Sequence, residues 1–484
     1  MIPGIAAIPT PTVTLAGRVL PPAELGTLGC IRVRFETSAP AACELQWDPG
    51  PIPELGDAIT LTLEGELDQL FDGEVVSLVH VLGPNGRARL RVRAQDRARR
   101  LRAGFRVLAY TEVTVADVVR RLAAEHGLGS SAEEQGPLWP RVMQHGESDL
   151  AFIDRLASRA SLWWQVEGGE LRLRGWTGGP ERNARWGEEL VEAEITHSDT
   201  PPRTVRASGW DPVERTVFDG TPVGEGEVRF LAAGVLAGSE HAARAARVVV
   251  DRSGTARLSL RAVLRGDSGW RPGVKVHVAA VPGTPTEAFV LTSVEHVLDQ
   301  ATGYLCVATS VPPPDPPPQP ADGCGFTQAV VLEVSDPDGM GRVRCSFPGW
   351  DGAESEWLPV VTAGAGGGKG LTCQPDVGDA VVVLYALDDP GRGVVLGGLF
   401  ADGAPADRAG VRDGAVRQLA WRTPDGQEIR LNRDGDTVVV TNGAGSYLEL
   451  GADEVRLHAE TNLTLEAPGR TIVVRADRID FERG

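Results

Sequence analysis

The stretch VRLHAETNLTLEAPGRTIVVRADRIDF, residues 455–481, decides the architecture, because pairs of apolar residues split by one polar residue return in it every eight positions. Val455 and Leu457 are followed by Leu463 and Leu465, by Thr471 with Val473, and by Ile479 with Phe481. Upstream, Ile429/Leu431, Val438/Val440 and Leu448/Leu450 continue the pattern with slips. Alternation over such short spans predicts very short β-strands in a fixed-period array. Each strand offers only a few inward residues and no second layer, so a single copy cannot close a core. A single-chain left-handed β-helix has sides of about six residues; a step of eight fits three chains wound into one triangular prism. The expected trimer core is therefore Ile429, Leu431, Val438, Val440, Leu448, Leu450, Val455, Leu457, Leu463, Leu465, Val473, Ile479 and Phe481.

Working outward, residues 312–320 hold seven prolines in nine positions, which predicts an extended, semi-rigid spacer. Between it and the array, Val330–Val334, Arg342–Phe347, Leu358–Val361, Ala380–Tyr385 and Val394–Phe400 read as five short strands, the number of a small OB-type barrel. Residues 1–311 read as sheet interrupted by two helices. The first follows Thr114, with Asp117 completing a cap, Val115, Val118, Val119 and Leu122 forming an apolar face, and Gly127 ending it. The second runs from about Ser148 to Ala160 and feeds a hairpin through Trp163-Trp164-Gln165-Val166, closed at Gly168-Gly169. The expected division is 1–311, a linker at 312–321, a barrel at 322–404, a connector at 405–422 and the prism at 423–484. The fold class is mainly β, with an α+β N-terminal region.

Composition agrees with this class. The chain has 484 residues, more than one core usually organises, and its 59 glycines and 35 prolines imply many turns. A net charge of −18 disfavours a phosphate backbone as partner, so no nucleic acid is expected. No uninterrupted apolar run is long enough to span a bilayer, so no stable membrane insertion is expected. Six cysteines without a Cys-x-x-Cys pair read as buried reduced thiols, and the eight histidines are dispersed. Ala363 to Gly370 resembles a phosphate cradle, but Ala363 stands where that pattern needs Gly and Gly370 where it needs Ser or Thr. No nucleophile elbow occurs, and the acidic pairs Glu133-Glu134 and Glu188-Glu189 fall in polar loops. Neither catalytic residue, metal nor cofactor is expected.

Three ordered segments resemble the VgrG-like spike and late-control-D hub proteins of type VI secretion, contractile phage tails and extracellular contractile injection systems. They are Val92 to Leu128; Glu147-Ser148-Asp149 with the helix it opens; and the barrel signature Asp336-Pro337-Asp338-Gly339-Met340-Gly341-Arg342-Val343, Pro375-Asp376-Val377-Gly378-Asp379 and Val394 to Leu399. The resemblance implies a trimeric hub that caps the inner tube, an OB-fold neck and a β-prism needle that punctures the target envelope. It implies inner-tube and baseplate partners, effector cargo, assembly in the bacterial cytoplasm and incorporation into a phage-tail-like particle that is released or fired. No lysozyme-like domain is expected between barrel and prism, since only Ala401 to Trp421 connects them, and no effector domain is expected after the prism. The blunt end at Ile479, Phe481 and Gly484 is expected to bind a PAAR-like tip protein. The alternatives from other classes are a phage tail-associated envelope glycan hydrolase and a trimeric surface-glycan-binding adhesin.

Overall fold

The computed structural model describes residues 8–482 except 49, 67–68, 84–85, 87, 177–178, 199–202, 212–215, 232–237, 282–287, 312–323, 351, 387–388, 401–404 and 406–408. The proline-rich stretch and Gly484 thus lie outside the described residues. Two compact units follow one another, Met1–Gly398 and Leu399–Gly484.

The first unit is dominated by one antiparallel sheet of eleven strands, in the order Leu190–His197, Leu258–Arg265, Gly303–Thr309, Ser293–Asp299, Leu28–Glu36, Ala42–Trp47, Ala88–Gln95, Phe71–Leu82, Ala58–Leu63, Pro11–Leu15 and Arg18–Val19. Its strands alternate: Ile31, Val33, Cys43, Leu45, Trp47, Val92 and Ala94 point into one core, while Arg32, Arg34, Glu44, Arg91 and Arg93 line the other face. The sheet is closed by residues far apart in sequence, since Val294 lies opposite Phe35 and Leu298 opposite Ile31.

Between those halves of the sheet sits a second core, built from two helices and short strands. Strand β1 (Arg106–Val113) pairs antiparallel with β2 (Trp139–Glu147). Helix α1 (Val115–Glu125) begins at Thr114 with a capping box closed by Asp117, and Gly127 follows its end at φ +70°. Helix α2 (Asp149–Arg159) is capped by Ser148 and leads into the hairpin Leu162–Glu167/Glu170–Gly175, turned through Gly168 and Gly169. Both expected helices are present. A third was not foreseen: α3 (Ser239–Arg257), which packs Ala242 and Ala246 beneath the strand Arg203–Asp211. Its buried apolar contacts are alanines, with Val249 and Val250 only partly buried beside them, which raises a weak helical period in the sequence, and it contains Ser253 and Gly254.

The barrel segment forms a five-stranded sheet: β3 (Cys324–Glu333), β4 (Arg344–Phe347), β5 (Ala353–Glu354), β6 (Ala380–Ala386) and β7 (Asp389–Leu399), in the order β5-β4-β3-β6-β7. Val331, Val343, Cys345, Phe347, Leu358, Val381, Val383 and Val395 fill its core. The expected strand at Leu358–Val361 exists only as single bridges, Val343 to Leu358 and Val360 to Val395. Cys43, Cys306 and Cys345 are buried thiols as expected, but Cys30 is only half-buried, and Cys324, at the start of β3, and Cys373, outside any strand, are exposed.

The second unit carries a meander of five antiparallel strands: β8 (Gln418–Arg422), β9 (Glu428–Asn432), β10 (Thr437–Thr441), β11 (Tyr447–Leu450) and β12 (Val455–His458). Residues 459–482 hold no strand, although the eight-residue array predicts strands at Leu463/Leu465, Thr471/Val473 and Ile479/Phe481. Within one chain these segments have no neighbouring strand to take their backbone hydrogen bonds.

Candidate functional site

The meander places ten residues of alternating parity on one face. Its register pairs Trp421 with Ile429, Ile429 with Val440, Val440 with Leu448 and Leu448 with Leu457; beside this ladder runs a second, Leu419–Leu431–Val438–Leu450–Val455. All ten side chains are apolar, and eight of them are residues named from the sequence pattern. The opposite face is polar: Glu428 takes Arg422 at 3.1 Å and Arg430 at 3.7 Å, and Tyr447 stacks on His458 with ring centroids 5.1 Å apart. Exposure is inverted relative to a soluble sheet. Val455 is 66% exposed, Leu457 56% and Trp421 60%, whereas Glu428 is buried. Among the described residues of this unit only Gly410, Glu428 and Val439 are buried. The named residues further on, Leu463, Leu465, Val473, Ile479 and Phe481, are likewise exposed, Phe481 at 95%. Soluble proteins rarely leave so many apolar side chains exposed on one face.

The sequence motifs of the first unit turn out to be structural devices. Asp336 accepts the backbone N–H groups of Asp338 (3.1 Å), Met340 (3.0 Å) and Arg342 (3.2 Å), and the Arg342 guanidinium closes on it through Nε (3.0 Å) and Nη2 (2.6 Å). That guanidinium, with help from the three amides, holds the Asp336 carboxyl far below the usual carboxylate range. Arg342 thus supplies the positive charge that this turn gathers around Asp336. Asp376 and Asp379 brace the next turn by exchanging hydrogen bonds, Asp376 N–H to the Asp379 carboxylate (2.8 Å) and Asp379 N–H to the Asp376 carbonyl (3.0 Å).

Glu147-Ser148-Asp149 is a three-part joint. Glu147 receives Arg155 from the next turns of α2, Ser148 caps that helix by accepting the Ala151 N–H (3.2 Å), and Asp149, 1% exposed, receives Arg106 (2.5 Å), Gln144 (2.9 Å) and His126 (2.8 Å). These bonds tie β1, β2, α1 and α2 together. Among the described residues no group of three or more His, Cys, Asp or Glu is placed to hold a metal, and no helix is long and apolar enough to cross a membrane. In the glycine-rich loop, Gly366 and Lys369 exchange backbone hydrogen bonds across a tight turn.

Residues 35–174 match the model of the phage tail baseplate hub family, and residues 327–400 match that of the type VI secretion system/phage-baseplate injector OB domain. Along this chain, a segment similar to the baseplate hub is thus followed by one similar to the injector OB domain. Solved structures share the fold. An E. coli protein described as a type VI secretion component similar to T4 bacteriophage tail proteins gp27 and gp5 aligns at a TM-score of 0.52 and 18% identity, over 77% of this chain and 96% of that one. The 43 kDa tail protein of prophage MuSo2 from Shewanella oneidensis aligns at 0.50 and 16%, over 62% and 98%. A chain of the Francisella PdpA–VgrG complex aligns at 0.55 and 8%, over 94% and 88%.

The hub match spans the Val92–Leu128 and Glu147–Leu156 segments, and the OB match spans the Asp336 and Asp376 turns. Two hub residues escaped the sequence reading. His145 and Arg141, on one side of β2, meet the OB domain: the His145 ring lies 4.2 Å from that of Trp350, and Arg141 donates to the Glu354 carbonyl. The signal available was their i, i+4 spacing on a strand, which puts both on one face.

Proposed function

We propose that this protein is the central hub and spike of a contractile injection system, working as a homotrimer. Its membership of a phage-tail-like machine rests on the hub and OB matches; the trimer rests on the outward apolar ladders of β8–β12. Three copies bring three such faces together, and each ladder then exchanges water for apolar neighbours at about 25 cal/mol per Å² removed from solvent. The same association offers residues 459–482 the strand partners that a lone chain lacks. In this reading Leu463, Leu465, Val473, Ile479 and Phe481 continue the trimer core as a three-chain β-prism.

The hub caps the inner tube, the OB domain forms the neck, and the prism enters the target envelope. A PAAR-like protein covers the apolar end at Ile479, Phe481 and Gly484, and effectors travel as cargo on the assembled particle. The particle assembles in the bacterial cytoplasm. The role is mechanical rather than catalytic, in keeping with hub and spike relatives. Light scattering tests the oligomer: a mass of three times 51.3 kDa is expected, and a stable monomer at micromolar concentration would sink the proposal.

A further inference from the structure

The seam between the hub segment and the OB domain, both within the first compact unit, has a titratable group at its centre. His145 projects from β2 onto aromatic side chains of the barrel. Its ring meets Trp350 edge-on at 4.2 Å and lies 6.2 Å from Tyr385. Trp350 is in turn held by Tyr385, 5.1 Å away at right angles, and by Phe347 at 4.5 Å. The seat is therefore braced by the barrel core, to which Phe347 belongs. The Nε2 atom of His145 is shielded from solvent and has no hydrogen-bond partner among the described residues. An imidazole in that position is tolerated as a neutral ring; a proton would add a charge with no acceptor for its N–H.

We propose that His145 is a protonation-sensitive pin joining hub to OB domain: neutral, it seats on Trp350 and Tyr385, and protonated, it releases the barrel from β2. The surrounding charges do not offset this. On the hub side Glu147 and Arg155 are paired with each other at 2.5 Å, and their effects on the ring oppose. Arg106 of the adjacent strand is taken up by Glu125 and Asp149. From the barrel, Glu356, Arg344 and Glu354 act on Arg141, four residues away. A hydrogen bond to its own backbone favours the protonated ring, but burial outweighs it and holds His145 below its ordinary value.

The sign follows from linkage. A pKa lowered on docking means that docking is fully stabilised above the free histidine range and weakens as pH falls through it. If the docked ring takes no proton, the docking constant drops roughly tenfold between about pH 7.5 and about pH 5.5, from a free value of about 6.5. A seam of this kind would let an acidic compartment loosen the neck of the particle without unfolding it.

Hydrogen exchange of the full-length protein, corrected for its intrinsic pH dependence, tests the idea at those two pH values. Peptides covering 139–147 and 344–357 are expected to lose protection together at the lower pH, while α1 stays protected. His145→Phe keeps a ring without a proton and should hold both peptides protected at either pH. Trp350→Leu removes the seat from the other side and should loosen both already at the higher pH, with no further response. Equal protection of the wild type at both pH values would overturn the proposal. So would a pH response that persists in His145→Phe or Trp350→Leu.

Discussion

Asp96 shows how one buried carboxylate organises the turn that leaves the large sheet. Its two oxygens accept the N–H groups of Ala41 (2.7 Å) and Ala98 (2.9 Å), so it ties the start of the strand Ala42–Trp47 to the 3-10 turn Arg97–Arg102. Burial pushes its carboxyl up to about 7. Asp96→Ala leaves two enclosed donors unpaired and should cost about 1–3 kcal/mol for each, read as a lower denaturant midpoint with unchanged slope. His296 is likewise a buried titratable residue of the first unit. Its Nδ1 faces the Tyr304 hydroxyl (2.9 Å), its Nε2 the Trp270 carbonyl (3.0 Å), and burial pushes it down to about 3. The two groups pull stability in opposite directions. The raised Asp96 contributes stability at low pH that is lost as pH climbs towards 7, and the depressed His296 contributes stability at neutral pH that is lost as pH falls from 6.5 towards 3. In Asp96→Asn only the histidine effect remains. Melting curves should then show that variant losing stability on acidification more steeply than wild type, by up to about 1.4 kcal/mol per pH unit. Parallel pH profiles would mean that Asp96 ionises as freely in the fold as outside it.

At the scale of elements, legibility followed the strength of local signals. Thr114, Asp117 and Gly127 specify where α1 starts and stops with side-chain and backbone chemistry that needs no tertiary context, and Ser148 does the same for α2. The alanine face of α3 carries no such signal, and the pairing of Leu28–Glu36 with Ser293–Asp299 joins strands more than two hundred residues apart, which periodicity does not encode. The apolar ladders were legible because alternation fixes the face whatever the register partner. Their antiparallel meander was not, since an eight-residue step is compatible with strands that wind around an axis and with strands that reverse. Leu448 sits mid-ladder between Val440 and Leu457. Leu448→Asp repeats a carboxylate in each copy of an apolar interface and should shift the scattering mass from three copies towards one, leaving the hub signal in circular dichroism intact. Glu449→Ala, on the polar face of the same strand, should leave the mass unchanged. Equal effects from the two substitutions would show that the ladder face is not the buried one.

For the whole molecule, the two compact units differ in what each needs in order to fold. Residues 1–398 enclose four apolar clusters, among them a sheet core with Trp47 and Trp270 fully buried and a barrel core around Phe347. The described residues of these four clusters all belong to that unit. The second unit carries ten apolar residues on one face of its sheet, and its described residues bury only Gly410, Glu428 and Val439. A single sheet in that state gains little burial to offset the conformational entropy of ordering its chain, so coupling of its folding to association is the expectation to test. Produced alone, residues 1–398 should melt cooperatively at the temperature of the first transition of the full protein. Residues 399–484 alone should show β-sheet circular dichroism only where they associate, with a midpoint that rises as concentration rises and a signal that is lost on dilution. The dependence arises because each folded unit then exists only as part of an oligomer, and mass action sets the population of both. A sheet signal independent of concentration, in a species with the mass of one copy, would mean that this unit closes its own core, and the ladders would then need a different explanation from a spike of three chains.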